Sequence, residues 1–214
     1  KAYVIGNNTS NSLSPTIFQY WFKKYNIEAC YGFVEIDEKH FNQEIKIVLQ
    51  KENLVGLNIT MPYKEKITPH LSFVESTNLK NLNLKTKLPT NLVTINNNKI
   101  IGHNTDVVGF KKALTTNKKH IGKRAAIFGC GGAAKSIIYS LAEFGIKDML
   151  LFNRTYEKAV KIKNDFLETI KPTDIVVKAL KLEENKEKLT DVDIIVNTTP
   201  VNVFEKSPNI KINK

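Results

Sequence analysis

The chain has 214 residues, 42% of them hydrophobic and 25% charged, and a formal net charge of +11. This composition is that of a folded globular protein with one large or two small cores, and it excludes disordered, fibrous and collagen-like classes. Of the 32 basic residues only Arg124 and Arg154 are arginines; the lysines are scattered among acids without interleaved aromatics, so nucleic acid is not an expected partner.

Short β-like runs alternate with helix-like ones from end to end, the pattern of an α/β protein with a mostly parallel sheet. Ala2 to Gly6 reads as a strand. A polar loop follows, then a helix with Ser14 as N-cap and Pro15 at its first position. The aromatics Phe18, Tyr20, Trp21, Phe22 and Tyr25 on that helix read as core. Tyr31 to Ile36 is a second strand, Lys39 to Gln50 an amphipathic helix, and Val55 to Thr60 a third strand leading into a helix started by Pro62. Leu92 to Ile95 and Lys99 to Gly102 flank Asn96-Asn97-Asn98, which predicts a hairpin. A helix from Val107 to about Thr115 leaves this first unit, and Asn117 to Gly122 is a polar connection. Ala125 to Gly129, Met149 to Asn153, Ile175 to Leu180 and Ile194 to Thr198 then read as four strands spaced by helices, the doubly wound arrangement. Two domains are expected, 1–106 and 107–214.

The strand Ala125 to Phe128 runs into Gly129-Cys130-Gly131-Gly132-Ala133-Ala134 and then into the apolar helix Ile137 to Phe144. A G-x-G-x-x-A between a strand and a helix places backbone N–H groups and the positive helix end at a pyrophosphate. The next strand would end in an acid if it bound the ribose 2′-hydroxyl of NAD. It ends instead in Asn153-Arg154-Thr155, which favours NADP. Arg154 stands where a 2′-phosphate would lie, with the Thr155 hydroxyl beside it and Lys158 one turn on. Thr155 also suits an N-cap.

Ser12-Leu13-Ser14-Pro15 follows strand one, Asn58-Ile59-Thr60-Met61-Pro62-Tyr63-Lys64 follows strand three, and Asn104-Thr105-Asp106 precedes the bridging helix. With the glycine loop, Asn153-Arg154-Thr155 and Asn197-Thr198-Thr199-Pro200-Val201, the chain closely resembles the shikimate dehydrogenases, in matching order from Tyr3 to Val201. The resemblance implies an α/β substrate domain and a Rossmann-like NADP-binding domain. It implies reversible NADPH-dependent reduction of 3-dehydroshikimate to shikimate in a cleft between them. Lys64 and Asp106 would then be the catalytic pair. Ser12, Ser14, Asn58, Thr60 and Asn104 would hold the substrate carboxylate and hydroxyls, and Thr198, Thr199, Pro200 and Val201 would approach the nicotinamide ribose. The family usually reads Gly-Ala-Val-Asn-Thr before the hairpin; counted back from Gly102 this chain reads Leu88-Pro89-Thr90-Asn91-Leu92. Only the amide Asn91 is kept, again as a substrate ligand.

The chemistry has its own logic. A secondary alcohol oxidised by hydride removal must also lose its hydroxyl proton, so a proton acceptor has to lie within hydrogen-bond reach. Lys64 falls in the first turn of the helix expected from Pro62, where the macrodipole disfavours a cation and favours the neutral amine. Ser12 has no expected capping role. Within the same fold, the alternatives are a quinate or shikimate-like dehydrogenase using NAD and a nucleotide-binding module without turnover. The family's substrate-contacting glutamine and nicotinamide-adjacent tyrosine have no counterpart among these residues, so the resemblance implies weak NADP binding and little turnover for this stretch alone. Cys30 and Cys130 read as buried thiols. His40, His70, His103 and His120 show no metal-ligand spacing, so no metal is expected. The longest weakly polar run, Ala125 to Ala134, falls short of the roughly 20 apolar residues of a membrane span, and Ala2 to Gly6 is too short for a signal-peptide core. The expected location is therefore the cytoplasm.

Overall fold

The computed structural model describes residues 1–75, 88–116, 122–170, 174–185, 189 and 191–201. These divide into two compact units, 1–75 with 88–105, and the residues from Asp106 onward. The connection expected at Asn117 to Gly122 lies outside the described residues except for Gly122, and Asn202 to Lys214 lie outside them altogether.

In the first unit β1 (Ala2–Gly6), β2 (Tyr31–Glu35), β3 (Gly56–Ile59), β4 (Phe73–Val74), β5 (Leu92–Asn96) and β6 (Lys99–His103) form one sheet in the order β2-β1-β3-β5-β6-β4. β1 pairs in parallel with β2 and β3. β5 is antiparallel to both β3 and β6, so this sheet is mixed, with three of its five pairings parallel. The reason is local: a tight turn can join only antiparallel strands. Asn97 and Asn98 make that turn with φ of 48° and 60°, the left-handed pair that asparagine tolerates and a type I′ hairpin requires. The register Val93↔Gly102 runs through the hairpin without a bulge. The two-residue β4, parallel to β6, has no counterpart in the sequence reading.

Helix α2 (Phe41–Leu49) buries Phe41, Ile45 and Val48, an i, i+4, i+7 stripe. The stripe packs in one core with Ile5, Ile36, Leu57, Ile59 and Tyr63, each buried side chain contributing about 1.5–3 kcal/mol. Helix α1 (Ser14–Lys24) corrects two expectations. Leu13 holds the N-cap position without a side-chain cap bond, and Ser14 is already helical. No α1 residue is buried: Tyr20 is 62% exposed, Trp21 45% and Tyr25 63%. Only one stripe of the helix can face the sheet, and Phe18 occupies it, stacked on Tyr31 at 4.2 Å. Tyr20 lies on the far side from Phe18, and Tyr25 is the C-cap residue. Pro62 starts no helix either. The Met61–Pro62 bond is cis, and residues 61–67 are turns leading to a 3-10 turn at Thr68–His70.

In the second unit β7 (Arg124–Phe128), β8 (Asp148–Asn153), β9 (Val176–Lys181) and β10 (Ile194–Asn197) are all parallel, in the order β10-β7-β8-β9. The chain enters at β7, winds outward through β8 and β9, and returns to the other flank of β7. That reversal is the topological switch point at which doubly wound sheets bind ligands. Helix α3 (Thr105–Thr116) leads into this unit; α4 (Gly132–Phe144) and α5 (Tyr156–Thr169) connect its strands. Gly145, with φ of 101°, ends α4 in the left-handed conformation that terminates helices. Phe128 and Phe152 stack across β7 and β8 at 5.0 Å in a core with Ala126, Leu150 and Leu180. The cysteines differ from expectation. Cys30 is exposed in the loop before β2, and Cys130 is half-buried where β7 gives way to the glycine loop.

Candidate active site

On the substrate side, the loops after β1 and β3 lie against each other. The Thr60 amide donates to Ile5 O at 2.9 Å. A Cβ on Gly6 would stand 2.6 Å from Thr9 Cγ2 and 2.7 Å from Thr60 Cγ2, so glycine is what lets the first loop approach Thr60. That loop is fastened to β2 by Glu35, whose Oε1 accepts from the amides of Thr9 at 2.7 Å and Ser10 at 2.8 Å. Bonds from Ser10, then from Thr9, hold the Glu35 carboxyl below its ordinary range. Ser12 Oγ accepts the Ser14 amide at 3.2 Å, a local turn that delivers the chain into α1. The Tyr31 hydroxyl donates to Asn58 Oδ1 on β3 at 2.7 Å.

Lys64 sits half-buried in the turn after Pro62. With no helix there, the macrodipole argument for a neutral amine falls away. Its position is fixed from both sides instead. Tyr63, fully buried and stacked on Phe41, donates its hydroxyl to Ile36 O, and Lys64 O accepts the Thr90 amide at 2.8 Å. Asn91 lies beside β3, its carbonyl accepting the Ile59 amide at 2.9 Å. Its side chain is committed at both ends to Thr105, donating to Oγ1 and accepting from the amide, each at 2.8 Å. Asn104, buried, donates to Pro89 O at 2.6 Å. These bonds hold the segment that leads to Asp106 in the first turn of α3. Asp106 itself falls in the second unit.

On the nucleotide side, Gly129 leaves β7 with φ of 98°, and its amide donates to Phe152 O at 2.8 Å. A Cβ there would lie 2.5 Å from Thr198 Oγ1, so the loops after β7 and β10 meet only because this residue is glycine. Gly131 is the N-cap of α4 and offers no side chain to its first turn; the leading N–H groups of a helix have no partner within it. Among the described residues, a Cβ on Gly131 would meet nothing within 4 Å. With no side chain there to obstruct the helix start, the residues fit a dinucleotide pyrophosphate. Burial pushes the Cys130 thiol in this loop up to about 12, which keeps it un-ionised.

At the end of β8, Asn153 Nδ2 donates to Thr155 O at 2.8 Å and shapes the turn. Thr155 occupies the N-cap of α5 without a side-chain cap bond, so its hydroxyl is not consumed by the helix. Arg154, Thr155 and Lys158 are all exposed. The other arginine is structural, Arg124 pairing with Asp148 at 3.2 Å. After β10, Thr198 donates through N and Oγ1 to Phe128 O, both at 2.8 Å. Asn197 organises the rest of the turn: Oδ1 accepts from Thr199 N at 3.0 Å and Oγ1 at 2.7 Å, and Nδ2 donates to Val201 O at 2.9 Å.

Tyr31, Glu35, Thr105 and Asn197 are the organising residues that sequence reasoning did not select. Asn197 had a visible signal, since asparagine two residues before a bonded amide is an Asx turn. Tyr31 and Glu35 had none, because their bonds span 25 to 27 residues.

Comparison with known proteins supplies the context. Residues 4–81 match the shikimate dehydrogenase substrate binding domain and residues 111–207 match the shikimate / quinate 5-dehydrogenase family. Shikimate dehydrogenase (NADP(+)) of Caldicellulosiruptor bescii is 34% identical over 213 residues, which is 99% of this chain and 68% of that protein. The crystal structure of shikimate dehydrogenase from Aquifex aeolicus superposes with a TM-score of 0.74 at 31% identity, over 94% of this chain and 69% of that one. Shikimate 5-dehydrogenase from Listeria monocytogenes, in complex with shikimate and NAD, gives 0.73 at 26% identity, over 97% and 70%.

Proposed function

Because the chain belongs to the shikimate dehydrogenase family, we propose that it is an NADP-dependent oxidoreductase interconverting 3-dehydroshikimate and shikimate. The observation that carries the cofactor choice is the end of β8. An exposed Arg154, a Thr155 hydroxyl unused by its helix and Lys158 stand there, where an NAD enzyme would place a carboxylate that repels a 2′-phosphate. NADP(H), when bound, takes up or supplies the hydride.

The chain's own residues bind, orient and move the proton. Gly129, Gly131, Gly132, Ala133 and Ala134 receive the pyrophosphate through backbone N–H groups, Asn153 shapes the turn that presents Arg154, and Thr198, Thr199, Pro200 and Val201 receive the nicotinamide ribose. Ser12, Ser14, Asn58, Thr60, Asn91 and Asn104 bind the substrate carboxylate and hydroxyls, with hydroxyl and amide donors suited to both. Lys64 accepts the hydroxyl proton during oxidation and returns it during reduction, with Asp106 as the second member of the catalytic pair. Residues 1–106 thus serve substrate and catalysis, and 107–214 serve NADP. Among the described residues no helix is long and apolar enough to cross a membrane, and we place the enzyme in the cytoplasm.

Absorbance at the nicotinamide band tests this reading. Shikimate with NADP is expected to give the fastest reduction. Faster turnover with NAD, of quinate or of shikimate, would transfer the assignment to an NAD-using dehydrogenase, which the NAD bound beside shikimate in the Listeria monocytogenes structure keeps as a specific competitor. Nucleotide binding with no turnover of either pair would leave a binding module.

A further inference from the structure

The strand β2 supplies none of the residues assigned above to substrate, yet its first residue is bonded to one of them. Tyr31 is only 4% exposed, with its ring stacked on Phe18 of α1. The Tyr31 hydroxyl proton goes to Asn58 Oδ1 at 2.7 Å. We propose that Tyr31 is a positioning residue for substrate: its hydroxyl fixes the Asn58 amide with Nδ2 turned toward the ligand. The inference rests on the assignment of Asn58 to the substrate site.

The orientation follows from bonding capacity. A carboxamide can present either an acceptor or a donor to a ligand, and an Asn side chain can turn over to offer either. An O–H donor buried against Oδ1 removes that choice, because reversal would set Nδ2 against the phenol and leave its proton without an acceptor, which is costly in a desolvated place. A carboxylate ligand accepts only, so a fixed donor recognises it and a free-turning amide loses part of that selectivity. Tyr31 is suited to the task. Burial raises its hydroxyl to about 12, so it remains protonated and donating across the neutral range.

Tyr31→Phe keeps the ring on Phe18 and removes only the hydroxyl. Equilibrium titration with shikimate and, separately, with NADP is expected to show a shikimate Kd raised about tenfold, the loss of one buried hydrogen bond, with the NADP Kd unchanged. In an Asn58→Ala background the same change should add little, because the group it positions is gone. Asn58→Asp provides a second arm: it preserves an acceptor for Tyr31 but removes the Nδ2 donor, so its shikimate affinity should fall at least as far as that of Tyr31→Phe. An unchanged shikimate Kd in Tyr31→Phe, equal losses for both ligands, a full tenfold loss repeated in the Asn58→Ala background, or normal binding by Asn58→Asp would each overturn the positioning role. If Asn58→Ala binds shikimate as tightly as the unaltered protein, the substrate-site assignment itself has failed and the inference falls with it. A loss in Asn58→Ala with none in Tyr31→Phe overturns the positioning role alone.

Discussion

The substrate side and the nucleotide side are built by opposite means. In the first unit the assigned asparagines are each bonded to another part of the unit, Asn58 to Tyr31, Asn91 to Thr105 and Asn104 to Pro89, and Glu35 fastens the loop that carries Ser12. In the second unit the glycine loop and the end of β8 offer backbone and exposed charge, with an N-cap threonine that caps nothing, and the turn after β10 is held by its own side chains. The difference follows from what each must recognise. A small polyhydroxylated acid is distinguished by the placement of each donor and acceptor, which demands fixed side chains. A pyrophosphate is a diffuse anion that helix N–H groups can cradle, and a 2′-phosphate needs charge with access to it.

Substitutions can break that contrast, and the largest effect should come from the proton-transfer residue. Lys64→Ala is expected to lower kcat by about 10² to 10⁴ while the NADP affinity stays unchanged; undiminished turnover would remove Lys64 from the chemistry. Next is the exposed charge. Arg154→Ala should weaken NADP by about 1.5–3 kcal/mol, the range of a hydrogen bond to a charged group, with far less effect on NAD. Competitive titration of the two cofactors measures this, and equal losses would show that Arg154 does not select the 2′-phosphate.

A smaller effect separates a ligand from a brace. Asn91→Ala removes both bonds to Thr105 and should cost about 1–2 kcal/mol in kcat/KM for shikimate. Thr105→Val, which leaves the Asn91 amide in place but removes one of its two partners, should cost less. If the two variants lose equally, Asn91 acts by holding Thr105 and not by touching substrate.

The smallest effect concerns pH. The Glu35 carboxyl is lowered by bonds from Ser10 and Thr9, so the clamp on the first loop is intact above the ordinary glutamate range, near pH 4. It is lost as pH falls through the depressed folded value, since protonation removes the charge that the amides favour. Hydrogen exchange at the Thr9 and Ser10 amides should therefore accelerate only below about pH 4. In Glu35→Gln it should be faster at neutral pH and lack that acid step. An acid step surviving in Glu35→Gln would assign it to another group.

How far the sequence discloses this design also differs between the two regions. The glycine loop and the turn after β8 are legible because their chemistry is local: a few consecutive residues with a strand before and a helix after. The hairpin is legible for the same reason, through Asn97 and Asn98 at positive φ. The turn carrying Lys64 is not. Proline at a helix start and proline in a cis turn leave the same mark in the sequence, and the anchor that decides between them is the buried Tyr63 bond to Ile36 across 27 residues. The α1 aromatics mislead in a similar way. Their type predicts burial, but a helix on one edge of a sheet has a single stripe to bury, and which residue takes it depends on Tyr31 on the neighbouring strand. Thr105 shows the remaining case, a residue inside a recognised motif whose role as brace is visible only when Asn91 is placed beside it.

The central claim is that two separately built halves each hold one ligand. Shikimate and NADP affinities measured side by side on Asn58→Ala and on Arg154→Ala test it most directly. The account predicts a crossed result, with Asn58→Ala weakening shikimate about tenfold or more at unchanged NADP affinity, and Arg154→Ala weakening NADP at unchanged shikimate affinity. Parallel losses, with either substitution weakening both ligands to the same extent, would contradict it.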